Sequence, residues 1–110
     1  MSRRPKSKNR GLEKGEPLLG LLTIELHFPH SHSLKEKRMV VKGIKDRLRA
    51  RFNAAVAETG YQELWQRAVV SVVSVSSDRR YLQSLLESMA HDVEDRYPSE
   101  LVDIAIELID

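Results

Sequence analysis

The chain has no cysteine, so disulfides and thiolate metal sites are excluded. Aromatics are scarce, with one tryptophan, two phenylalanines and three tyrosines in 110 residues. Long apolar runs are also missing: Gly20, Thr23, Glu25, Ser71 and Ser74 break the most hydrophobic stretches far short of a membrane span. The N-terminus carries basic residues with no apolar segment behind them, which is not the pattern of a secretory signal, and a cytoplasmic protein is expected. No nucleophile elbow, phosphate-binding loop, dinucleotide fingerprint or H-E-x-x-H motif occurs. The expectation is therefore a non-enzyme with no cofactor and no small-molecule substrate.

What remains is an ordinary soluble balance, 41% hydrophobic and 31% charged, with room for one core. The net charge of +2 is unevenly spread: residues 1–16 hold six basic and two acidic side chains, a balance of +4, and the rest sum to −2. Residues 1–16 read as a disordered basic tail, either an arm drawn to polyanions or a solvated leader. Residues 17–110 read as one domain.

Along that domain the pattern alternates between periods of two and 3.6. Leu18, Leu22, Ile24, Leu26 and Phe28, with Thr23, Glu25 and His27 between them, predict a strand that Pro29 ends. Ser33-Leu34-Lys35-Glu36 spells a capping box, with the Glu36 carboxylate expected to reach back to the Ser33 amide. A helix is predicted from there to about Ala50, burying Leu34, Val41, Ile44 and Leu48 with Val40 on the flank. Phe52–Glu58 and Ala68–Val75 read as the second and third strands, separated by a loop that begins at Gly60. Ser77-Asp78 opens a second helix on the stripe Leu82, Leu85, Leu86, Met89 and Val93, ended by Pro98, and Leu101–Ile109 is the last strand. The order β-α-β-β-α-β predicts a ferredoxin-like α+β fold: a four-stranded antiparallel sheet, order 4-1-3-2, with two helices on one face. The other face is expected to present Leu21, Thr23, Glu25, His27, Ala55, Ala57, Asp103, Ala105 and Glu107, either solvated or paired with a second copy.

Four features have chemical potential. Lys35, Arg38, Lys42, Lys45 and Arg49 recur along the first helix within an arc of about 80°, a row of cations without interleaved acids that suits a phosphate backbone; an ordinary solvated face is the alternative. His27, His30 and His32 form the cluster H-x-x-H-x-H, a weak metal candidate against a chance grouping in a polar loop. Glu25 and Glu107, on strands expected to be neighbours, are the one conceivable carboxylate pair. Trp65, beside Tyr61 in the loop between strands two and three, either folds over the core edge or anchors a partner. The order βαββαβ is shared with RNA-recognition motifs, but those stack bases on aromatics of their first and third strands; Arg67–Val73 offers none.

Two stretches, Ser33-Leu34-Lys35-Glu36-Lys37-Arg38 and Arg51-Phe52-Asn53-Ala54-Ala55-Val56-Ala57-Glu58 continued by Gln62-Glu63-Leu64-Trp65-Gln66-Arg67-Ala68, resemble the bacterial YlxP-like family, a domain of unknown function. The closing Val75-Ser76-Ser77-Asp78 also fits, and the resemblance runs from about Leu18 to Leu108. It implies a ferredoxin-like fold and a gene neighbourhood of translation and ribosome-maturation factors, hence an RNA or ribosome partner, and it supplies no catalytic residues. The predicted topology gathers both signature stretches at one end of the molecule. Lys35, Arg38, Tyr61, Trp65 and Arg67 there are the candidates for a partner surface, and homodimerisation through the open sheet face or an edge strand is the competing expectation.

Overall fold

The computed structural model describes residues 16–110. The basic-tail reading of residues 1–16 falls, but for Glu16, outside them. The alternating first segment forms β1 (Leu18–His27), with Gly20, Leu22, Ile24 and Leu26 buried and the residues between them more exposed. Helix α1 (Leu34–Arg51) follows, then β2 (Ala55–Gly60), β3 (Arg67–Ser76), α2 (Arg79–Arg96) and β4 (Leu101–Ile109). The strands make one antiparallel sheet in the order β2-β3-β1-β4, the expected 4-1-3-2 read from its other edge. The fold is ferredoxin-like.

Both helices cover the same face, α1 over β2 and β3 and α2 over β1, β3 and β4. Between helices and sheet lie Leu22, Ile24, Leu26, Val70, Val72, Val41, Ile44, Leu48, Leu82, Leu86, Met89 and Val93, all at 1% exposure or less. Burying that many large apolar side chains is the main favourable term in so small a domain. Gly20 lets α2 settle close to β1: a Cβ there would lie 2.6 Å from Leu86 Cδ1 and 3.1 Å from Leu82 Cδ1. The helices are also joined through charge, since the Arg47 guanidinium donates twice to the Asp92 carboxylate, at 2.8 and 3.0 Å. That bidentate bond holds Arg47 above its ordinary pKa.

Three local expectations change. Phe52 closes α1 rather than opening β2, because its amide still donates to Leu48 O; pairing with β3 starts only at Ala55 opposite Val73. Strand β2 then runs past Glu58 through a bulge to Gly60. At the other end of α1, the Ser33 hydroxyl accepts from the Glu36 amide as a cap should, but the Glu36 carboxylate accepts from the His32 amide, one residue before the expected donor.

Candidate functional site

Lys37 is the side chain that organises the end of the molecule where the signature stretches meet. It lies three residues after Leu34 and four before Val41, on the apolar stripe of α1, and is fully buried. Its ammonium donates to the carbonyls of Tyr61, Gln62 and Arg67 at 2.8, 3.2 and 3.1 Å. Those bonds use all three N–H groups. Glu58 Oε2, only 2.9 Å away, therefore meets the positive charge without receiving a hydrogen bond. The charge and its polar shell bind the β2–β3 loop to the second turn of α1.

Further bonds fix that loop. Gln66 Nε2 donates to the carbonyls of Pro29 and Ser31, and the Phe28 amide donates to Gln66 O, so the β1–α1 connection is held as well. Tyr61 has φ of 56°, the left-handed region that a bulky residue seldom occupies. Its carbonyl is engaged by Lys37, and its ring lies 4.5 Å from the Arg67 guanidinium, a cation–π contact. The same guanidinium donates to the Glu25 carboxylate on β1. On this rigid frame Trp65 and Leu64 are about half exposed, at 53% and 47%. With His27, Glu63, Gln66 and Arg67 they line an open cleft of about 490 Å³. Trp65 is thus about half open to solvent and half covered.

The cationic row runs along α1 on the side nearer β2. Lys35, Arg38, Lys42 and Arg49 are exposed and Lys45 is half-buried. The row is not free of acid: Asp46 lies among its members, 2.7 Å from Lys42 Nζ and 3.7 Å from Arg49 Nη1. The Lys42 hydrogen bond, aided by the charges of Lys42, Arg49 and Lys45, holds the Asp46 carboxyl below its ordinary value of 3.8. Arg49 also donates to Val56 O on β2, at 2.6 Å. Lys35, Arg38 and Lys45 make no ion pair among the described residues, so three of the five cations remain available to an external anion.

Two other sets of residues are not brought together. The register places Glu25 opposite Asp103 and Glu107 opposite Leu21, so the two glutamates are four positions, roughly 13 Å, apart along the sheet. Glu25 is in any case paired with Arg67, and Glu25 and Glu107 form no dyad; the carboxylate that faces Glu25 across the strands is Asp103. The three histidines are not gathered into a metal-holding group among the described residues. His27 lines the Trp65 cleft, whereas His30 lines a separate hollow with Phe28, Pro29 and Val40.

The open sheet face is graded. Val75, Leu19 and Ile109 make one cross-strand row, and Ala55, Val73 and Leu21 the next, ending at Glu107. Small residues follow (Ala57, Ser71, Thr23 and Ala105), and charge dominates beyond them at Glu25, Asp103 and Arg67. The apolar end is larger than expected because β3 contributes Val73 and Val75, which are 38% and 56% exposed.

The chain matches the family model described as "Protein of unknown function (DUF503)" over residues 19–106. It is 40% identical over 62 residues to "Uncharacterized protein YlxP" of Bacillus subtilis (strain 168), covering 56% of this chain and 67% of that protein. Among solved structures it is similar to "De novo designed protein Foldit4", with a TM-score of 0.54, 11% identity, and coverage of 86% of this chain and 98% of that one. That likeness concerns the fold alone. No described helix is long and apolar enough to cross a membrane.

Proposed function

Given that the chain belongs to the DUF503 family, whose function is unassigned, we propose that it is a non-enzymatic RNA- or ribosome-associated binding module. The observation that supports this reading is the set of cations Lys35, Arg38 and Lys45 on α1, without an ion pair among the described residues, beside a loop that Lys37 clamps with Trp65 exposed. Cations spaced along a helix suit successive phosphates better than one small anion. The loop beside them adds exposed aromatic surface, which suits nucleic acid more than a simple solubilising face requires. Lys42 and Arg49 contribute less, because Asp46 and the Val56 carbonyl already engage them. Replacing Lys35, Arg38 and Lys45 together with Glu should abolish the gel shift of ribosomal RNA; an unchanged shift would overturn the proposal.

A second reading, a homodimer through the open sheet face, draws on the apolar row Leu19, Val75 and Ile109. A two-fold axis along the strands would bring that end onto its copy and hide it from water. Edge pairing is less favoured. Antiparallel β4–β4 pairing centred on Ala105 opposes Asp103 to the partner's Glu107, and like charges directly opposite are destabilising. Sedimentation at micromolar concentration should show a dimer that Val75→Lys converts to monomer; a monomeric parent chain contradicts this reading.

A further inference from the structure

The cleft beside Trp65 differs chemically from the cationic row on α1. We propose that it is a slot for one unpaired nucleobase, so that the ligand is single-stranded RNA rather than a duplex; this rests on the RNA-binding reading above.

The groups lining the cleft select an uncharged, flat ligand. Arg67 is its one permanent cation, and that guanidinium is already committed to the Glu25 carboxylate and the Tyr61 ring. Glu63, also on the lining, repels a phosphate. Trp65 and Leu64 supply apolar surface about half open to solvent. An aromatic ring of this kind stacks on the π-face of a base, a contact that tolerates any sequence. Within a duplex those faces are covered by neighbouring bases, so only an unpaired nucleotide can offer one. The phosphates on either side then fall to cations outside the cleft, and Lys35 and Arg38 lie on the helix end to which Lys37 clamps the loop.

The slot is also built before the ligand arrives. Lys37 and Gln66 hold the loop through five hydrogen bonds to backbone carbonyls, so little ordering remains to be done on binding. The sheet face, where other domains of this strand order stack bases, has no exposed aromatic on β1 or β3. In this chain the stacking surface has moved to the β2–β3 loop.

Trp65 is the chain's one tryptophan, so its fluorescence reports the slot directly. The test titrates the protein with a mixed-sequence 12-nucleotide RNA, single-stranded or annealed to its complement, and follows fluorescence and the anisotropy of a labelled strand. The expected result is quenching by the single strand and none by the duplex. Trp65→Ala should weaken single-strand binding about tenfold and leave duplex binding unchanged. Trp65→Phe, which keeps a stacking ring, should retain most of the affinity, and circular dichroism confirms that both variants fold. Equal quenching by both RNAs, no quenching by either, or an equal effect of Trp65→Ala on both overturns the slot. If salt-sensitive binding persists in those cases and is lost on replacing Lys35, Arg38 and Lys45, the phosphate reading stands alone. Absence of salt-sensitive binding by either RNA overturns both.

Discussion

Lys37 Nζ lies 2.9 Å from Glu58 Oε2, yet every N–H of the ammonium points to a backbone carbonyl, so the pair attracts by charge alone. Lys37→Met should therefore leave a buried carboxylate and three carbonyls without their cation. The expected loss of stability is about 3–5 kcal/mol. Glu58→Gln, which spares the three carbonyl bonds, should cost distinctly less. Urea denaturation of these two variants, of Glu58→Leu and of Lys37→Met/Glu58→Leu checks this. The double variant should be more stable than Lys37→Met alone, because the stranded carboxylate is gone; strict additivity would contradict the coupling.

Gly43 lies in the middle of α1, exposed, and a Cβ there meets nothing within 4 Å. Helical glycine with open space around it costs stability through its unfolded-state freedom alone. Gly43→Ala should stabilise the domain by about 0.5–1 kcal/mol in thermal or urea unfolding. A loss would mean that the helix cannot accept a methyl group at that position.

The opposite sign is expected at Gly20, where the added methyl group meets Leu86 and Leu82 in the core. Gly20→Ala should destabilise by about 1–3 kcal/mol through overpacking. Gly20→Ala with Leu86→Val should recover part of that loss in the same unfolding assay.

Asp46 should titrate below 3.8 in carbon-detected NMR, with the Lys42 hydrogen bond as the chief cause. Because its folded pKa is depressed, its small stabilising effect is present above the ordinary carboxylate pKa. It is lost as pH falls through the depressed value. Lys42→Met should move the midpoint back towards 3.8, and an unmoved midpoint would show that Lys42 is not the cause.

The fold was legible because its signals are local. Alternation in Leu18–Phe28, the cap at Ser33, the helical spacing of Leu82 to Val93 and the stop at Pro98 each follow from near neighbours in sequence. The boundary of β2 was not legible, since Phe52 looks like a strand residue until the last helical hydrogen bond to Leu48 is known. The site was half legible. Trp65, Arg67 and the basic row could be named; Asp46 among the cations was missed although a signal existed, its place four residues after Lys42 and three before Arg49 on the same helix. Lys37 was missed too, although a lysine at a core position between Leu34 and Val41 must find buried acceptors. Its carbonyl partners lie about 24 to 30 residues away, beyond any local pattern. The family resemblance pointed to the same two stretches, and the structure shows that Lys37 is what joins them.

The most direct test of the binding reading is the salt dependence of affinity for a single-stranded 12-nucleotide RNA, measured for the parent chain and for Lys35→Ala/Arg38→Ala/Lys45→Ala. Each phosphate neutralised contributes about 0.7 to the slope of log K against log salt concentration for a single strand. The account predicts that the variant binds more weakly and that its slope falls by about 2, one increment for each cation removed. An unchanged slope, with affinity equal to the parent chain's, would contradict it.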